Sequence, residues 1–110
     1  MTEGSLGRRY AKALFQLARK AGQEAKIGQE LEQFNGAYTQ SDLKQVLVNP
    51  AFALEVRKKI LAQVTQAEQL SELTRHFLSL LADRDRLPHL AGIVGCYRRL
   101  LNEAKGRVEA

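Results

Sequence analysis

Tryptophan is absent from this chain, cysteine occurs once, proline twice, and aromatic residues make up only 6% of it. Each shortage excludes something. A single cysteine, Cys96, rules out an intrachain disulfide. With Pro50 and Pro88 as the only prolines, long stretches contain no obligate helix breaker. No stretch approaches the ~18 consecutive apolar residues of a membrane-crossing helix. The opening MTEGSLG lacks the apolar region of a signal peptide and does not look like a transit peptide. Alternation of apolar and polar residues never lasts more than a few positions, which removes the main mark of a half-buried strand. There is no GxGxxG, no phosphate-binding loop and no nucleophile elbow.

What is plentiful is Ala, Leu, Gln, Glu, Lys and Arg, the strong helix formers. A chain of 110 residues, 45% apolar and 26% charged, can bury a modest core if most of it is regular structure. The expected fold is therefore all-α, and six successive helical stretches, taken in turn, make it a single six-helix bundle occupying residues 1–105.

The first helix, Ser5 to Ala21, orders the rest. Ser5 is placed to cap its start, and Gly22 lies where a C′ glycine belongs. At about 100° per residue, Leu6, Tyr10, Ala13 and Leu17 form one apolar stripe, and Ala11, Leu14, Phe15 and Ala18 form a second beside it. Together they cover roughly 200°, where one-sided packing needs a little over 100°. Arg8, Arg9, Lys12, Gln16, Arg19 and Lys20 fill the remainder. Either one stripe is core and the other a docking surface, or a small domain buries both. Periodicity alone leaves both open.

A second helix is expected from Gln23 to Tyr38, with Ile27, Leu31, Phe34 and Tyr38 inward and Gly28 and Gly36 weakening it. Ser41 caps a short third helix, Asp42 to Val48, which Asn49-Pro50 ends. The fourth starts at Phe52 or Leu54 and runs to Thr65. Val56, Ile60, Leu61 and Val64 are expected inward, with Arg57, Lys58 and Lys59 outward. After a polar connection, Ser71 caps the fifth helix, which ends near Asp83. Its apolar set, Leu73, Phe77, Leu78, Leu80, Leu81 and Ala82, is again roughly 200° wide. Pro88 falls in the first turn of the sixth helix, where a missing N–H costs nothing. Leu87, Leu90, Val94, Tyr97 and Leu101 make its core stripe, and Gly106 stops it. Gly92 and Gly95 bare one flank of this helix.

Chemistry is scarce. His76 and His89 make no helical ligand pair with Cys96 or a carboxylate, so no metal, cofactor or catalytic residue is expected. Cys96 is expected to be a small buried hydrophobe. His76 stands on the edge of the fifth helix's wide apolar arc. The net charge of +5 is spread over several helices with no run of five, so nucleic acid is not the expected partner. A small basic nucleic-acid-binding or adaptor domain is the alternative reading.

RRYAKALFQLA at residues 8–18, NP at 49–50 with KKIL at 58–61, LTRHFLSLLADRDRLPHL at 73–90 and KGRVEA at 105–110 resemble, in order and spacing, the delta subunit family of F-type ATP synthase. Its mitochondrial counterpart is the oligomycin-sensitivity-conferring protein. The resemblance implies a non-catalytic stator subunit. Its six-helix N-terminal domain holds the N-terminal helical segment of an alpha subunit in a groove between the first and fifth helices. Carried onto this sequence, the groove residues are Leu6, Tyr10, Ala13, Leu17, His76, Phe77 and Leu80. The resemblance also implies that residues 106–110 begin a linker to a C-terminal domain absent from this chain. That domain, not this one, contacts the b subunits of the peripheral stalk. The expected location is the cytoplasmic side of the bacterial inner membrane, peripheral and without direct membrane insertion.

Overall fold

The computed structural model of the chain describes residues 2–106, with the backbone alone for residues 2–5. Among the described residues six α-helices are found and no strand: α1 (Thr2–Lys20), α2 (Glu24–Thr39), α3 (Leu43–Leu47), α4 (Leu54–Ala67), α5 (Glu72–Asp83) and α6 (Leu90–Ala104). A 3-10 turn, Leu87–His89, leads into α6 and holds Pro88, so the proline lies just ahead of the α-helix. The expected linker beyond Gly106 lies outside the described residues.

Helix α1 begins at Thr2, upstream of the expected cap at Ser5. Its end follows the glycine signal. Gly22 adopts φ +68, Gln23 N–H donates to Ala18 O at 2.8 Å and Gly22 N–H to Arg19 O at 3.0 Å. This closure satisfies carbonyls that the helix end leaves unpaired. Helices α4 and α5 end the same way without glycine. Gln69 (φ 59) and Asp85 (φ 57) hold the left-handed position, and Leu70 and Arg86 N–H donate back to Thr65 and Leu81 carbonyls. The connection after α4 is therefore a tight turn, and its Leu70 is buried. At α3 the Ser41 hydroxyl accepts from Leu43 N–H at 3.1 Å, while Asp42 occupies the cap position.

Helix α6 is the centre of the core. Leu90, Ile93, Val94 and Tyr97 are buried, and α1 and α2 both pack on it, while α4 and α5 pack on each other. Helix α1 runs close to α6 at Gly7, where a Cβ would stand in van der Waals contact with the Gly92 backbone at 3.4 Å. The bare flank of α6 thus matters at its backbone: a side chain on Gly92 or Gly95 itself would point into open space. Gly28 has the opposite setting, since a Cβ would lie 3.1 Å from the Tyr97 ring. Tyr97 stacks edge-on to Phe15 at 5.5 Å, and its hydroxyl donates to Glu24 O at 2.7 Å.

Three expectations need correction. Val56 was expected in the core but is 45% exposed, beside exposed Phe52 and Leu54. Helix α4 is rotated so that Thr65 turns inward, its hydroxyl satisfied by Ala62 O at 3.1 Å. Arg57, expected outside, is largely covered because its Nε donates to Phe52 O at 3.0 Å. Cys96 is half-buried against the core rather than enclosed in it.

Candidate functional site

The two stripes of α1 have different fates. Ala11, Leu14, Phe15 and Ala18 are all core, with Leu14 only 1% exposed. On the other stripe, Leu6 and Tyr10 are half-buried, Ala13 is exposed, and Leu17 is 54% exposed. The second stripe therefore starts partly covered near the N-terminal end of α1 and opens toward the C-terminal end. An open surface depression brings Ala13 and Leu17 together and is lined, among the described residues, by these two with Gln16, Arg19 and Lys20.

Helix α5 divides similarly. Thr74, Leu78, Leu81 and Ala82 face the core, and Leu80 is 37% exposed. His76 is exposed and lies 3.8 Å from the Glu72 carboxylate, one turn earlier. Phe77 is 7% exposed and belongs to the core cluster, so it stands beneath the outer surface of α5 rather than on it. Leu17 and Leu80 are thus the large apolar side chains that α1 and α5 leave in water. The depression on α1 takes no described residue from α5, and the main packing partners of α1 and α5 are different helices, α6 and α4.

A buried carboxylate that sequence reasoning missed sets α5 in place. Glu30, on α2, accepts from Ser71 N–H at 3.1 Å, from the Ser71 hydroxyl at 2.7 Å and from the Thr74 hydroxyl. The Ser71 side chain makes no cap bond of its own. Glu30 therefore does from another helix what an N-cap does locally, and its negative charge lies at the favourable end of the α5 dipole. Periodicity gives little sign of this, because Glu30 and Ser71 are 41 residues apart.

The rim of the α1 stripe is cationic. Projection at about 100° per residue puts Arg9, Gln16 and Lys20 along the edge of the stripe away from the core, and all are exposed. From Leu6 to Lys20 the helix carries no acidic residue. The ion pairs among described residues lie elsewhere: Arg57–Asp85, Lys58–Asp83, His76–Glu72 and Arg98–Glu32. Burial, helped by the nearby Glu24 charge, pushes the Tyr97 phenol up to about 12, and burial also raises Tyr38, but both stand away from this rim in the core.

An apolar strip with a charged rim is the kind of surface that helix-in-groove recognition uses. A profile of the ATP synthase delta (OSCP) subunit family matches residues 6–110. The chain is similar to ATP synthase subunit delta of Solidesulfovibrio magneticus, with 45% identity over 109 residues, covering 96% of this chain and 60% of the relative. It is also similar to ATP synthase subunit delta of an Anaeromyxobacter species, with 40% identity over 111 residues, covering 100% of this chain and 62% of the relative. For ATP synthase subunit delta of Geotalea uraniireducens the identity is 38% over 109 residues, covering 98% of this chain and 61% of the relative. The chain therefore spans about 60% of the length of these curated relatives. Matched over nearly its whole length by the family profile and by these relatives, the chain belongs to the ATP synthase delta (OSCP) subunit family.

Proposed function

We propose that this chain is the alpha-binding domain of an ATP synthase stator. The N-terminal helical segment of an alpha subunit lies along α1 and α5. Leu17 and Ala13 on one side and Leu80 on the other supply apolar contact, with Leu6 and Tyr10 extending the α1 strip and His76 on the rim. Phe77 supports the surface from below. The observation that carries this reading is the split of α1, one apolar stripe buried and a second left in water. Water-exposed apolar side chains aligned on one helix are the raw material of helix-in-groove recognition.

In this role the domain ties the catalytic head to the peripheral stalk, so that the head does not turn with the rotor while ATP is made. The work is mechanical and uses no catalytic residue. Residues 1–105 form the alpha-binding domain, residues 106–110 begin a linker, and contact with the b subunits falls to a C-terminal domain. The assembly sits peripherally at the cytoplasmic face of the bacterial inner membrane. No described helix is long and apolar enough to cross a membrane.

Calorimetric titration with the alpha N-terminal segment tests the proposal. Saturable one-to-one binding is expected. No detectable binding at about tens of micromolar, where even a weak specific contact of ~6 kcal/mol registers, would overturn it.

A further inference from the structure

We propose that the bound segment turns a carboxylate-bearing flank toward α1, and that Arg9 and Lys20 are the residues that select it. This rests on the docking reading above. The apolar strip alone would accept any amphipathic helix of suitable width. Its rim is more discriminating. Arg9 and Lys20 stand on the outer edge of the Leu6–Tyr10–Ala13–Leu17 stripe, about 16 Å apart along the helix axis, with uncharged Gln16 between them. Lys20, Gln16 and Arg19 share the depression that Ala13 and Leu17 line.

No acidic residue of the described chain pairs with either cation. Of the other basic residues of this helix, Arg8 and Lys12 project to the opposite side of the polar face. Arg19 reaches the margin of the depression but its guanidinium lies over the Phe15 ring at 5.8 Å. The α5 rim has the contrary character. Its Glu72 and His76 are close enough to pair, and Asp83 is held by Lys58 at 2.8 Å. One lip therefore offers two unneutralised cations and the other offers none. A helix lying between them is oriented by its charges: its carboxylates fall against α1, near both ends of the strip. Like-charged flanks are rejected there, which gives specificity that apolar contact does not supply.

The test is titration of the whole chain with the alpha N-terminal segment at low and high salt, comparing wild type with the double variant Arg9→Gln, Lys20→Gln. A second double variant, Lys59→Gln, Arg99→Gln, removes exposed cations outside the strip. Two rim pairs of ordinary strength together amount to about a tenfold change in affinity. The rim variant is expected to bind about tenfold more weakly at about 50 mM salt and to lose most of the wild type's salt dependence between about 50 and 500 mM. The control variant is expected to bind as wild type, and thermal unfolding of both variants to match it. Equal affinity and equal salt dependence in wild type and rim variant would overturn this inference and leave the docking reading standing. Failure of the wild type to bind at all would overturn both. Sedimentation with phosphatidylglycerol vesicles supplies the remaining arm: capture of wild type but not of the rim variant would assign Arg9 and Lys20 to a lipid surface and refute the proposal.

Discussion

Leu14 and Leu17 lie one turn apart on the same helix, and truncating each to alanine should have unequal consequences. Leu14 is 1% exposed and enclosed by the core formed with α6 and α2. Its removal forfeits the full transfer energy and leaves a cavity, a loss of about 2–5 kcal/mol. Leu17 is 54% exposed, so only about half of its side chain has left water. Half of the ~1.5–3 kcal/mol for a fully buried leucine is about 1 kcal/mol, with no closed cavity to add. Alanine's higher helix propensity returns a few tenths of that. The two variants should therefore differ by at least ~1 kcal/mol. Urea unfolding followed by helical circular dichroism reads this as a difference in midpoint at unchanged slope. Equal losses would mean that both stripes are held internally. The second stripe would then not be a docking surface.

Other variants probe the frame beneath the site. Gly36→Ala should stabilise the chain by up to ~1 kcal/mol, because a Cβ there meets nothing within 4 Å and alanine is the better helix former. Gly28→Val should instead cost about 1–3 kcal/mol, since the side chain would be driven into Tyr97 and Leu101; thermal melts of the pair give both signs. Glu30→Ala should cost about 2–4 kcal/mol in denaturant unfolding, because it strands the Ser71 N–H and two hydroxyls on the buried side of α5. Tyr97 makes the fold alkali-sensitive: with its folded pKa raised from 10.0 to about 12, its contribution is full below pH 10 and is lost as pH climbs through 12. Tyr38 adds to the loss in the same direction. Tyr97→Phe should flatten the fall in stability that spectroscopic pH titration reads above pH 10, at a cost of about 1 kcal/mol at neutral pH for the lost bond to Glu24 O.

Much of this architecture was legible before the coordinates. Six helices followed from helix-forming composition, helix-period apolar stripes and only two prolines, and the Gly22 closure was readable from one residue. The surplus apolar arcs of α1 and α5 were also readable, because a 3.6-residue period assigns every side chain to a face. Periodicity alone did not say which stripe of α1 turns inward, since that depends on where α6 lies against it; the family resemblance put Leu14 inside and Leu17 outside, and their burial agrees. The placement of Val56 failed for a related reason. Hydropathy chose Val56 for the core over Thr65 and Arg57. Local hydrogen bonds to Ala62 O and Phe52 O let the two polar side chains take the inner face instead. Phe77 sat on the boundary between arcs, where about 20° of helix rotation decides between surface and core. The Glu30 latch was invisible because it is a contact between distant segments rather than a pattern within one.

The central claim is that the exposed apolar residues of α1 and α5 hold the alpha segment. The most direct measurement is the affinity of that segment for Ala13→Glu and Leu80→Glu, each compared with wild type in stability and in binding. Ala13 is exposed, so Ala13→Glu should unfold within ~1 kcal/mol of wild type, while Leu80 is 37% exposed, so Leu80→Glu should lose about 1–2 kcal/mol and still fold. In the complex the new carboxylate is desolvated against an apolar helix, and binding should weaken by at least ~2 kcal/mol, about thirtyfold. Folded variants that bind the segment as tightly as wild type would contradict the account, and an Ala13→Glu chain that fails to fold would put position 13 in the core.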